Sequence, residues 1–114
     1  MFTQDDIETW TNAMFGNDTV LFYGREHTFG LYKKSNGQAV YFSIPTKEAR
    51  KPSGRKIVAR KVYTDFMGDP NLRVLSGQQF LTGINGVGTD PEIYQANRAR
   101  RFRRLVRSVA ELAG

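Results

Sequence analysis

Apolar positions recur along this chain with two different periods. Near the N-terminus, Ile7, Trp10 and Met14 are spaced by three and four residues, which places them on one face of a helix. Thr3 stands before that stripe with Asp6 three residues on, a capping-box arrangement, and acids crowd the positive helix end. Gly16 is the expected stop, because glycine accepts the left-handed conformation that ends many helices. Val20-Leu21-Phe22-Tyr23 then reads as a short buried strand closed by Gly24.

The clearest local signal is Asn36-Gly37, flanked on both sides by strand-like segments. Both residues tolerate the positive φ of a type I′ turn, so a two-residue hairpin is expected. In that register Ser35 pairs with Gln38, Leu31 lies opposite Phe42, and Phe29 lies opposite Ile44. These residues and Val40 would form a core face. Tyr32 would lie directly opposite Tyr41 on the other face, with Lys34 and Ala39 beside them. A one-residue slip would exchange the faces, so the assignment depends on the turn.

Pro45 ends the hairpin, and residues 46–56 form a basic, Pro/Gly/Ser-containing loop without apolar periodicity. A strand from about Ile57 to Phe66 follows, with Val58, Val62 and Phe66 on one face. After a turn at Gly68-Asp69-Pro70-Asn71, Leu72 to Leu81 suggests one more strand, broken or bulged near Gly77. Residues 82–88 read as a flexible glycine-rich connector. The last helix is expected to begin at Thr89 or Asp90, with Glu92 completing a capping box and Pro91 at the first helical position.

The order helix, four to five strands, helix predicts an α+β fold. An N-terminal helix and a C-terminal Arg-rich amphipathic helix would flank an antiparallel sheet or small barrel. With 114 residues the chain has room for a single globular domain, 1–114, that folds without metal or disulfide staples.

Composition removes most chemistry. There is no cysteine, which excludes disulfides, a cysteine nucleophile and thiolate metal sites, and one histidine, His27, which argues against zinc clusters. No apolar run approaches the ~20 residues of a bilayer span, and the first residues are acidic rather than signal-like. The expectation is a cytoplasmic protein without membrane attachment, metal or cofactor.

Charge restores some information, because its placement is uneven. The chain carries 17 basic and 11 acidic residues, net +6. Residues 1–30 sum to −4, residues 31–64 to +8, residues 65–92 to −3 and residues 93–114 to +5. Separated blocks favour a protein with a positive face, or one whose acidic and basic blocks meet within the fold or between two copies.

The Arg-rich C-terminal segment is the strongest candidate for function. At ~100° per residue, Ala99, Phe102, Leu105, Val106, Val109 and Ala113 share one side of a helix. Arg100, Arg101, Arg103, Arg104 and Arg107 then face outward, while Arg98 lies near the apolar stripe. Guanidinium is permanently charged and forked, which suits phosphate or carboxylate. The loop of residues 47–61, with Lys51, Arg55 and Lys56, would add contacts that do not read sequence. Tyr32 and Tyr41, exposed beside Lys34, would provide a stacking platform for single strands.

Other readings are weaker or fail. The glycines before the last helix lack Walker spacing, and Pro91 with Asp90 and Glu92 suits neither a dinucleotide nor a phosphate. His27 beside Glu26 is a candidate base–acid pair for a small ribonuclease, although strand neighbours point to opposite faces. No serine stands in a nucleophile elbow, and no catalytic residues are assigned. The residues thus predict a non-enzymatic nucleic-acid-binding protein for DNA or RNA. The alternative is a protein-interaction or inhibitor module docking an acidic partner, of the kind encoded by phages and plasmids. A homodimer is compatible with either.

Overall fold

The computed structural model describes residues 1–49, 70–87 and 91–94. Helix α1 spans Gln4–Ala13. Its capping box is complete: Thr3 N donates to Asp6 Oδ2 at 2.8 Å, and Asp6 N donates to Thr3 Oγ1 at 3.2 Å. Ile7, Trp10 and Met14 are buried, as their spacing predicts. Gly16 is not the stop. The helix ends at Met14 in an extended conformation, and the left-handed residue is Asn17, with φ 72°. The Lys33 ammonium caps the end instead, donating to the carbonyls of Thr11 at 2.7 Å and Met14 at 2.8 Å. A side-chain cation satisfies the orphan carbonyls and meets the negative helix end, so no glycine cap is required.

Strands β1 (Thr19–Tyr23), β2 (His27–Lys33), β3 (Ala39–Pro45), β4 (Arg73–Leu75) and β5 (Glu92–Tyr94) form one antiparallel sheet in the order β4-β3-β2-β1-β5. A short helix α2 (Thr46–Ala49) follows β3, and helix α3 (Gly77–Val87) follows β4. The strand order is linear, so among the described residues the sheet is open rather than a barrel.

Apolar residues are buried on both faces. Val20, Phe22 and Leu31 pack against Ile7 and Trp10 of α1, Met14 at its end, and Phe80 and Ile84 of α3. On the opposite face Leu21, Tyr23, Tyr32, Phe42 and Ile44 cluster with Ala49 and Leu72. Every residue of β1 is buried, which explains its continuous apolar run.

The β2–β3 hairpin forms where expected, but its register is shifted by one residue. Leu31 pairs with Tyr41, Tyr32 with Val40, and Gly30 with Phe42. Lys34 N donates to Gln38 O at 2.8 Å, and Gly37 N donates to Lys34 O at 2.9 Å, so the loop is Ser35-Asn36-Gly37. Only Gly37 of this loop has positive φ, at 91°. A turn followed by one left-handed glycine is the usual three-residue loop, and it replaces the predicted two-residue turn. The expected core face is therefore divided. Phe29 and Leu31 keep to the helix-covered side, whereas Phe42 and Ile44 lie on the other.

Three further expectations are corrected. The segment Leu72 to Leu81 is not one strand, and of the expected connector 82–88 residues 82–87 are helical, because 77–87 form α3; Gly88 lies outside the described residues. Ser76 N donates to Gln79 Oε1 at 2.9 Å and Gln79 N donates to Ser76 Oγ at 3.2 Å, a second capping box. Phe80 and Ile84, four residues apart, are the buried face of this helix. Glu92 does not complete the capping box of a last helix, because it belongs to β5; Thr89 and Asp90 lie outside the described residues. Residues 92–94 pair with β1, Ile93 opposite Val20 and Tyr94 opposite Thr19. Pro91 precedes the strand, where its missing N–H removes no ladder bond. The expected strand at 57–66 and the arginine helix lie outside the described residues.

Candidate functional site

The shifted hairpin register decides the fate of the tyrosine platform. Tyr41 turns to the helix-covered face and stacks on Phe80, ring centroids 5.1 Å apart and planes inclined by 32°. Burial raises its phenol above the ordinary value of 10.0. Tyr32 points to the opposite face, where only 4 % of its surface is exposed, and its hydroxyl donates to Asn17 Oδ1. The two rings thus share neither a face nor solvent. A paired stacking surface is not formed. Lys34 lies half-buried at the hairpin end. Lys51, Arg55, Lys56, Arg100, Arg101, Arg103, Arg104 and Arg107 lie outside the described residues.

A different group of polar side chains comes together at the other end of β2. Strands β1 and β2 are joined by the two-residue turn Arg25-Glu26, closed by Gly24 N donating to His27 O at 2.9 Å. Thr46, at the start of α2, holds this turn in place. Its N–H donates to Glu26 O at 2.8 Å and its hydroxyl donates to Gly24 O at 2.7 Å. The Thr46 proton is committed to Gly24, so in the 2.9 Å contact with Thr28 Oγ1 the Thr28 hydroxyl is the donor. Thr28 and Thr46 are both buried, which gives the turn a rigid footing.

On the helix-covered side, the turn faces the last turns of α3 across a cleft of about 430 Å³. Arg25, Glu26 and His27 form one wall; Phe29, Thr82, Gly86 and Val87 contribute to the remainder. The alternation of a strand predicts opposite faces for Glu26 and His27, but Glu26 belongs to the turn, and both line this cleft. Three exposed residues with a guanidinium, a carboxylate and an imidazole thus stand in succession along one wall of the cleft. Sequence reasoning missed the opposing wall because it took 82–88 for a connector. The signal that could have revealed it is Ser76 with Gln79, ahead of Phe80 and Ile84.

Charge alternates in blocks along the chain, net −4 over residues 1–30, +8 over 31–64, −3 over 65–92 and +5 over 93–114. One basic tract follows directly on Ala49, at the sheet end that carries the cleft, and the arginine tract follows on Tyr94, paired near the opposite end. Among the described residues, no group of three or more His, Asp or Glu side chains could hold a metal ion, and no helix is long and apolar enough to cross a membrane. A scan against protein-family models finds no match, and neither the curated proteins nor the solved structures yield a significant one.

Proposed function

We propose that the protein binds nucleic acid without catalysing a reaction, through phosphate contacts made by its two basic tracts. The observation that carries this is the separation of charge along the sequence: residues 31–64 sum to +8 and residues 93–114 to +5, whereas residues 1–30 and 65–92 sum to −4 and −3. A chain that needed charge only for solubility has no reason to concentrate it in this way. Basic residues that neutralise phosphates release condensed counterions, which drives association with any polyanionic strand. In the C-terminal tract all six cations are arginine, the side chain suited to forked phosphate contacts. Arg100, Arg101, Arg103, Arg104 and Arg107 supply the principal contacts, and Lys51, Arg55 and Lys56 add to them. Lys34 is a peripheral contributor at the hairpin end.

The test is the double substitution Arg100→Ala with Arg104→Ala, assayed on unrelated DNA and RNA sequences. Phosphate contacts carry no sequence information, so binding should weaken by a similar factor on all of them, and the salt slope should fall by about 2. Unchanged binding would contradict the proposal. An acidic protein partner attracts the same surface. Capture of such a partner that survives nuclease treatment and is lost in the double variant would replace nucleic acid as the ligand.

A further inference from the structure

We propose that the cleft between the β1–β2 turn and α3 binds one nucleoside 5′-phosphate unit, either as a free nucleotide or within a single strand. The inference deepens the nucleic-acid reading and rests on it for the source of the ligand. Its starting point is the triad at the turn. Arg25, Glu26 and His27 are exposed residues that line the cleft, and among the described residues none of their side chains makes a hydrogen bond or ion pair. The backbone beneath them is fixed by three hydrogen bonds, two from Thr46 and one from Gly24. Polar groups on an anchored turn bind at lower entropic cost than the same groups on a mobile loop.

The opposing wall has the complementary character. Helix α3 carries no charged residue along 77–87, so nothing on it neutralises the turn. Phe29 and Val87 supply apolar surface, and Gly86 leaves the wall flat: a Cβ built there would meet nothing within 4 Å. A glycine in a helix costs about 1 kcal/mol relative to alanine. At Gly83 close packing accounts for it, since a Cβ there would lie 2.3 Å from the Phe29 ring. No contact among the described residues accounts for Gly86, whereas a flat ligand lying along the helix backbone would.

The cleft volume of about 430 Å³ lies in the range of small-ligand sites. A flat apolar wall facing one permanent cation, one imidazole and one carboxylate suits an anion that carries a flat group with N–H donors on its edge. In a nucleotide the phosphate would take Arg25 and His27. The base would lie on Phe29, Gly86 and Val87, with its N–H groups donating to Glu26. Lys47, one residue beyond Thr46 in α2, is the basic residue next in sequence to this anchored turn and would receive a neighbouring phosphate of a strand.

The experiment follows the imidazole resonances of His27, the only histidine, in the full-length protein titrated with guanosine 5′-monophosphate. Saturable shifts of His27, together with the Gly86 amide, are expected. Arg25→Ala should weaken binding about tenfold, the scale of one lost charge-assisted hydrogen bond. Gly86→Leu should abolish it while Trp10 fluorescence reports an intact fold. Inorganic phosphate that perturbs His27 as strongly as the nucleotide would overturn the assignment of the base, and absence of any shift at millimolar nucleotide would overturn the site. An oligonucleotide that binds through the tracts while His27 and Gly86 stay unperturbed would defeat this inference alone. Nucleotide binding in the cleft without salt-sensitive oligonucleotide binding would defeat only the role of the tracts, and would identify a free nucleotide as the ligand.

Discussion

The ring of Phe42 occupies the space that a side chain at Gly30, its cross-strand partner, would need. A Cβ at Gly30 would lie 2.2–2.6 Å from three carbons of that ring. Phe42 is fully buried among Leu21, Tyr32 and Ile44, and the bare glycine is what lets a phenyl ring lie against the sheet there. Gly30→Ala should therefore destabilise the protein by about 1–3 kcal/mol, the usual cost of overpacking. Urea unfolding followed by the fluorescence of Trp10 measures it, because the only tryptophan is completely buried in the core.

Helix α3 provides a sign test within a single element. Gly83→Ala drives a methyl group into Phe29 and should destabilise, whereas Gly86→Ala meets open space and should stabilise by about 0.5–1 kcal/mol through helix propensity. Urea midpoints moving in the same direction for both variants would contradict the packing described for this helix.

Asn85 ties α3 to the residues ahead of α1. Phe2 N donates to its Oδ1 at 2.7 Å, and its Nδ2 donates to Phe2 O at 3.0 Å. This pairing holds the Phe2 ring edge-on against Trp10 and Phe22, at centroid distances of 5.1 and 5.6 Å. Asn85→Ala should cost about 1–2 kcal/mol and release the N-terminal residues. Faster amide exchange across the first turn of α1, with the sheet unaffected, would be its signature.

Tyr41 gives the fold an alkaline limit. Burial raises its phenol in the folded state, so the unfolded chain ionises first. The corresponding stability is fully present below the unfolded value, near 10, and is lost as pH rises through the higher folded value. Urea midpoints should fall above about pH 10 more steeply for the native sequence than for Tyr41→Phe. Equal slopes would mean that the ring is not buried against Phe80.

Local signals were legible where they depended on neighbours in sequence. The Thr3–Asp6 capping box, the Ile7–Trp10–Met14 stripe and the buried strand around Leu21 were all readable, because propensity and period agreed. Hairpin register was not, because Asn36-Gly37 suits both a two-residue and a three-residue loop. The choice is made by packing, with Tyr41 against Phe80 and Phe42 over Gly30, and those contacts lie beyond the reach of the local turn signal. Helix α3 was obscured by its glycines, whose propensity cost is offset by the close approach of Phe29 at Gly83. The cleft needs two segments, 24–29 and 82–87, that no local pattern relates. Charge separation, by contrast, was visible from the sequence alone, and it carries most of the functional reading.

The central claim is that the basic tracts bind nucleic acid through its phosphates, and the salt dependence of binding tests it most directly. Fluorescence anisotropy with matched single- and double-stranded DNA and RNA, across a series of salt concentrations, gives the slope of log K against log salt. With about six to eight phosphates engaged on duplex DNA, the slope should be about −5 to −7. A slope near zero, or no binding at low salt, would contradict the account and direct attention to an acidic protein partner.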